Sequence, residues 1–347
     1  MNNESGRAID WDEEDIPDTF ERYQKRSIPF RARANLKNLT LATVIEARGH
    51  DTIVSIGGEL RSARIASRLV AAKSLSPIVA GDTVRVTVLP GGHLRIDALE
   101  PRRSVLGRFV GKTNARSSFD PIAANIDLVV LVCSPASPPF RPGLIDRYLT
   151  AAALENLPFA ICLNKNDLGV TANVESMLAG YASTGVAIFS TSAQTNDGID
   201  LLRMSIEKKI SLLTGHSGVG KSSLLNAIEP GLALKTGSVT QAAAGEGKGR
   251  HTTTSARLIP LSLPDTYVVD SPGVRGFGLG PIAAADLLVG FPEIVAASQR
   301  CRIRHCRHNA EGGCAVETEL SKTLFGTHRL ASYRSLAGFT QQLDDLD

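Results

Sequence analysis

The chain has 347 residues, 43% of them apolar, 21% charged and 5% aromatic, with a formal net charge of +3. That length suits roughly two or three domains with packed cores, which excludes global disorder; the densest apolar run, 128–133, is as long as a buried strand, which excludes a transmembrane helix. The first twenty residues carry Glu4, Asp10, Asp12, Glu13, Glu14, Asp15 and Asp18, the opposite of a signal peptide, and five cysteines cannot build a disulfide framework, so a cytoplasmic location is expected.

Residues 1–35 read as a disordered arm, acidic and then basic, with six basic residues and no acid across 22–37. Residues 36–100 contain five short strand-like runs at 39–47, 52–56, 60–66, 83–89 and 93–99, separated by turn residues such as Gly57-Gly58 and Pro90-Gly91-Gly92. They predict a small antiparallel barrel, with an OB-fold ahead of an SH3-like barrel; such barrels bind nucleic acid or serve as plain scaffolds. A basic stretch, five cations and no acid, fills 102–116. From about 120 to 275 the rhythm becomes that of a parallel-sheet α/β domain, bounded at 101–285. Strands are expected at 127–133, 159–163, 186–190, 209–214, 256–261 and 267–270, and helices at 144–154, 174–181, 199–208 and 221–228. The Gly- and charge-rich stretch 236–254 has no period and is expected to be mobile. The last unit, 286–347, is basic, Cys/His-rich and then helical; seven cations face three acids across 300–334. The fold class expected is multidomain α/β, with a five-stranded OB-like β-barrel, a parallel-sheet α/β domain and a Cys/His-rich helical unit.

Gly215-His216-Ser217-Gly218-Val219-Gly220-Lys221-Ser222 is a GxxxxGKS loop between a predicted strand and a predicted helix. Its glycines let successive backbone N–H groups wrap a phosphate chain; Lys221 supplies a point charge, Ser222 a hydroxyl for Mg²⁺, and Ser223 follows on the same turn. Asn164-Lys165-Asn166-Asp167 follows the strand 159–163 and selects the base. Asp167 suits the N1–H and 2-amino donors of guanine, which adenine lacks; Asn164 suits the N7/O6 side, and the Lys165 stem can pack over the ring. Ser192-Ala193 fits a backbone contact to guanine O6, and Asp270-Ser271-Pro272-Gly273 is a DxPG turn. There Asp270 would hold Mg²⁺ through water, and the Gly273 N–H would reach the γ-phosphate. The order NKxD, SA, phosphate loop, DxPG is a circular permutation of the usual one, allowed because domain termini lie close together. Cys301, Cys306, His308 and Cys314 have the spacing of a closed structural zinc site, with His305 the alternative fourth ligand; Cys133 and Cys162 read as core.

Barrel, permuted GTPase domain with GHSGVGKS and Cys₃His unit together resemble the bacterial RsgA (YjeQ) family of GTPases dependent on the small ribosomal subunit, over about residues 36–330. Gly249-Arg250-His251-Thr252-Thr253-Thr254 is similar to that family's switch I, and the 144–149 sequence LIDRYL to its GTPase domain. The resemblance implies a late assembly factor that binds the small subunit's ribosomal RNA through its barrel (36–100) and its zinc unit and leaves after GTP hydrolysis. It also implies His251 as the group that activates water, because Val274, where small GTPases place a glutamine, cannot orient it. Thr252 or Thr253 should close on Mg²⁺ and the γ-phosphate. Arg302, Arg304 and Arg307 are the expected phosphate contacts to RNA, and a monomer without membrane contact is the expected state. A GTP-sensing RNA-binding module with incidental hydrolysis is the alternative.

Overall fold

The computed structural model describes residues 39–48, 51–67, 69, 77–110, 118–232, 234, 256–270 and 284–338. The arm 1–35 and the stretch 236–254 lie outside the described residues, so what was expected of them stays an expectation.

Strands β1 (Thr40–Arg48), β2 (Asp51–Ile56), β3 (Glu59–Ile65), β4 (Thr83–Val88) and β5 (Leu94–Leu99) form the first unit. Alternation puts Val84 and Val86 inside while Arg85 and Thr87 face outward, the two-residue period of a half-buried strand. The ring closes in the order β1-β2-β3-β5-β4-β1, antiparallel except for the parallel pair β3–β5. That closure is the OB arrangement and removes free edges; Val44, Val54, Val84, Val86 and Ile96 fill it.

A hairpin of β6 (Val105–Val110) and β7 (Ser118–Ala124) follows, which sequence reading did not assign. Gly107 pairs with Pro121 across a register shift, so neither strand shows clean alternation. Leu106 and Ala123 nonetheless pack with Ile45 of the barrel and Val129 and Leu212 of the next domain. Beside them Arg102 clamps Asp82 with two hydrogen bonds, of 2.7 and 2.8 Å, both side chains buried.

The central sheet contains β8 (Leu128–Cys133), β9 (Phe159–Asn164), β10 (Ala187–Thr191), β11 (Ile210–Thr214), β12 (Arg257–Pro260) and β13 (Tyr267–Asp270). Their order is β10-β9-β8-β11-β13-β12, parallel apart from β12. The helices are α1 (Pro142–Leu154), α2 (Ala172–Ser183), α3 (Ile199–Ile206) and α4 (Lys221–Ile228). They cover both faces, which is why β8 and β11 are buried at every position, β8 apolar throughout and β11 apolar except for Ser211 and Thr214. Val130 and Val132 pack with Leu202, Ile206, Leu224 and Ile228 on one side; Leu131 and Cys133 pack with Ile145, Leu149, Met177 and Tyr181 on the other. The phosphate-loop strand β11 sits mid-sheet but fourth in chain order among these strands, the structural form of the permutation. Past a bulge in β1, Glu46 pairs with Arg257, which joins the barrel to the sheet edge to edge.

The C-terminal unit is helical: α5 (Ala284–Leu287), α6 (Pro292–Ser298), α7 (Ala315–Leu320) and α8 (Leu324–Leu336), around Phe291, Ile294, Cys314, Val316, Leu330 and Tyr333. It docks on α1 and α2 through Arg329 of α8, which is fully buried. Arg329 donates to Asp146 Oδ1 at 2.6 Å, to Glu293 at 2.5 Å and to the Gly290 carbonyl, and its guanidinium lies 4.1 Å from the Phe291 ring centroid. Asp146 also accepts from Tyr181 at 2.6 Å and contacts His328 at 3.0 Å. Burial alone would raise the Asp146 carboxyl; the Arg329 charge and the His328 hydrogen bond overcome it and hold the group below the usual range. Arg329→Met is expected to destabilise the C-terminal unit by about 3–5 kcal/mol, because the fully buried Asp146 carboxylate and the partly buried Glu293 lose their shared cation. The check is the urea midpoint of that unit's transition, followed by circular dichroism.

Candidate functional site

The phosphate loop, residues 215–222, joins β11 to α4 at the C-terminal edge of the sheet. Glycine is needed here on steric grounds. Gly215 has φ +139 and a Cβ there would lie 2.1 Å from the Val132 carbonyl; Gly220 has φ +93 and its Cβ would lie 2.5 Å from Asn164 Nδ2. Gly220 caps α4 with no side-chain bond, so the first-turn N–H groups and the positive end of the helix are open to an anion. Lys221 Nζ folds back to the Gly215 and His216 carbonyls at 2.7 and 2.8 Å, which holds its ammonium against the loop. The His216 ring turns onto the Ser217 carbonyl at 2.8 Å. Val219 is buried under the loop, and Ser222 is buried on α4 with Ser223 beside it.

The NKND segment leaves β9 and meets this loop. Asn164 is buried: its Nδ2 donates to the Val219 carbonyl at 2.9 Å, and its Oδ1 accepts from the Ala193 N–H at 3.2 Å. The hydrogen bonds seen at Asn164 therefore brace three loops, and one amide N–H is left over for the N7/O6 contact expected from sequence. Lys165 adopts φ +64, and its Nζ donates to the Ser137 and Gly218 carbonyls, both at 2.7 Å, so its stem spans the cleft. Asp167 is exposed and accepts from Ser192 Oγ at 2.6 Å on Oδ1, with no partner on Oδ2 among the described residues. Asn166 donates to Asp197 at 2.6 Å, while Ser192 N–H donates to the Asp197 carbonyl. Sequence reading passed over Ser137 and Asp197, whose signal is only their place in the loops after β8 and β10.

Asp270 ends β13, beside β11, on the same edge as Ser222. Its Oδ1 is buried without a hydrogen-bond partner among the described residues. Burial pushes the carboxyl up to about 6, against the pull of Arg257. An orphaned buried carboxylate oxygen, at the sheet edge from which the phosphate loop carries Ser222, belongs to a donor set that fits Mg²⁺. Gly273, His251, Thr252 and Thr253 lie outside the described residues, as do Ser271, Pro272 and Val274.

In the C-terminal unit, the ligand atoms of Cys301, Cys306, His308 and Cys314 all lie within 4.8 Å of one another; His305 is not in the group. His308 Nδ1 is 3.8 Å from Cys301 Sγ and 3.6 Å from Cys314 Sγ. A tetrahedral ion with bonds of about 2.3 Å to sulfur and 2.0–2.1 Å to nitrogen sets sulfur–nitrogen edges near 3.6 Å, so the cluster has the size of a zinc site. Glu311 ties the loop, accepting from the Asn309 N–H at 2.7 Å and the Arg307 N–H at 3.1 Å, and Arg334 donates to the His308 carbonyl at 2.8 Å.

Comparison with known proteins turns this geometry into a lineage. The family model described as RsgA GTPase matches residues 99–280. A curated relative from Ectopseudomonas mendocina, named small ribosomal subunit biogenesis GTPase RsgA, is 38% identical over 268 residues, 76% of this chain and 75% of the relative. The chain belongs to the RsgA GTPase family. A second RsgA, from Bacteroides fragilis, is 33% identical over 272 residues, 78% of this chain and 86% of the relative. Among solved structures, YjeQ from Thermotoga maritima superposes with a TM-score of 0.69 at 27% identity, over 86% of this chain and 98% of that one. YloQ, described as a circularly permuted GTPase, gives 0.65 at 24% identity over 91% and 99%, a likeness of fold. As an RsgA-family member the chain is a GTP hydrolase with a permuted GTPase domain between an OB-like barrel and a Cys₃His unit that could bind zinc. No helix among the described residues is long and apolar enough to cross a membrane.

Proposed function

We propose that this chain hydrolyses GTP on the small ribosomal subunit during late assembly, and that subunit contact accelerates the reaction. The observation that carries the GTP site is the bond from Asn164 Nδ2 to the Val219 carbonyl, which locks the base-reading segment to the phosphate loop. The reading divides the chain into an arm (1–35), an RNA-binding barrel (36–100), the GTPase domain (101–285) and a zinc unit (286–347), in a cytoplasmic monomer. Asp167 takes the guanine N1–H and 2-amino donors, and Ser192 holds that carboxylate in place. The N–H groups of 216–222 and Lys221 take the β and γ phosphates. Ser222, and Asp270 through water, would hold Mg²⁺, which would supply charge neutralisation at the phosphates. Thr252 or Thr253 closes on the γ-phosphate, and His251 orients the attacking water in place of the side chain that Val274 cannot supply. Cys301, Cys306, His308 and Cys314 hold one structural Zn²⁺, which keeps Arg302, Arg304 and Arg307, all exposed, on a fixed loop for RNA phosphates.

His251→Ala tests the mechanism. Turnover on the subunit is expected to fall about a hundredfold or more, while GTP affinity stays within roughly threefold. Unchanged turnover would assign water activation elsewhere. Val274 is the feature that favours the second reading, a GTP-sensing RNA-binding module whose hydrolysis is incidental.

A further inference from the structure

One row of side chains of alternating charge crosses three neighbouring strands. Glu46 of β1 lies opposite Arg257 of β12, and Arg257 lies opposite Asp270 of β13, both in antiparallel pairs. Directly opposed residues put their side chains on one face of a sheet, so the row reads acid, base, acid from the barrel to the proposed magnesium carboxylate. Two atoms in it are unsatisfied: Arg257 Nε and Asp270 Oδ1 are buried, and neither makes a hydrogen bond among the described residues. Glu46 is buried as well, and its Oε2 lies 4.0 Å from Arg257 Nε, an ion pair too long for a hydrogen bond. The Arg257 charge also acts on Asp270, favouring the ionised carboxylate against its burial. One cation thus stands between two carboxylates and is fully engaged by neither.

We propose that Arg257 is a positioning residue that competes with magnesium for Asp270, and that Glu46 of the barrel receives the guanidinium when Asp270 turns to the metal. The inference rests on the GTP site proposed above. Its physical basis is that a half-buried cation resists losing a carboxylate unless another takes over. Glu46 makes the exchange cheap. Because Glu46 belongs to the barrel, a partner that moves β1 alters how firmly Asp270 is released to the metal. That gives the barrel an electrostatic line to the nucleotide separate from the chain path through 271–283.

The test titrates Mg²⁺ into the full-length protein with a fluorescent, non-hydrolysable GTP analogue, reading the half-saturating Mg²⁺ concentration with affinity in EDTA as reference. Working at about pH 8 keeps proton competition at the carboxylates small. Glu46→Gln is expected to raise the half-saturating concentration about threefold to fivefold, the size of a cross-strand charge pair, and Arg257→Gln to lower it by a similar factor. The double variant should match Arg257→Gln alone, because Glu46 acts through Arg257; in an Arg257→Lys background the effect of Glu46→Gln should persist. Glu46→Asp, which shortens the reach, should shift the value in the same direction by less and serves if Glu46→Gln does not fold. A Glu46→Gln value equal to wild type, or a shift of equal size without Arg257, overturns the proposal. Wild-type protein that binds no analogue at any Mg²⁺ concentration overturns the GTP site itself, a failure visible before any variant is made.

Discussion

Cys314→Ser is expected to release zinc and loosen the whole C-terminal unit. Cys314 is both a corner of the cluster and 2% exposed within the unit's core, beside Val316, Leu330 and Tyr333. The unit's helices are short, two of them six and seven residues, and a helix of that length does not hold itself in water. Metal binding in such a unit is folding free energy, roughly 10 kcal/mol or more for structural zinc sites. Metal analysis should show zinc falling from about one per chain to a small fraction of that. Proteolysis should then cut within 301–338 while the sheet and barrel resist. Full zinc content in the variant would mean that His305 or another donor replaces the lost thiolate.

The second large effect is expected at the base. Asp167→Asn exchanges an acceptor for a side chain that presents N–H toward the guanine N1–H, while xanthine offers a carbonyl where guanine has its 2-amino group. GTP affinity should drop about a thousandfold or more, with xanthosine triphosphate gaining, since sites built on hydrogen bonds discriminate by roughly four or five orders of magnitude. Ser192 already fixes the carboxylate and Asn166 is tied to Asp197, so the change is local and the loop should keep its shape. Competition between the two nucleotides for one labelled analogue reads the switch. Equal loss of both would place the base elsewhere.

What was legible in the sequence follows a physical division. The phosphate loop was readable because backbone wrapping demands glycine at fixed places: Gly215 and Gly220 stand where a Cβ would collide with the Val132 carbonyl and the Asn164 amide. The OB barrel and the parallel strands were readable through their periods, two-residue in β4 and continuously apolar in β8. The Cys₃His cluster was readable because its ligands are close in sequence. The β6–β7 hairpin was not, since Gly107 and Pro121 break its alternation at a register shift. The Asp146–Arg329 pair was hidden for another reason. Its partners are 183 residues apart, and nothing in either segment says which of the two arginines on α8 finds the aspartate on α1. The LIDRYL resemblance marked Asp146 without its reason, which the structure supplies: it is the anchor on which the C-terminal unit docks. Glu46 and Arg257 were hidden likewise, because they lie 211 residues apart on strands of two domains whose pairing no local pattern announces.

The central claim is that contact with the small ribosomal subunit completes this GTPase. Its most direct measurement is GTP turnover by the purified full-length protein, alone and with isolated small subunits, at low and high salt. Slow turnover is expected alone, with stimulation of about a hundredfold or more on the subunit and loss of that stimulation as salt screens the arginine contacts to RNA phosphate. A rate unchanged by subunits that demonstrably bind the protein would contradict it, leaving a GTP-sensing RNA binder in which His251 has no catalytic part.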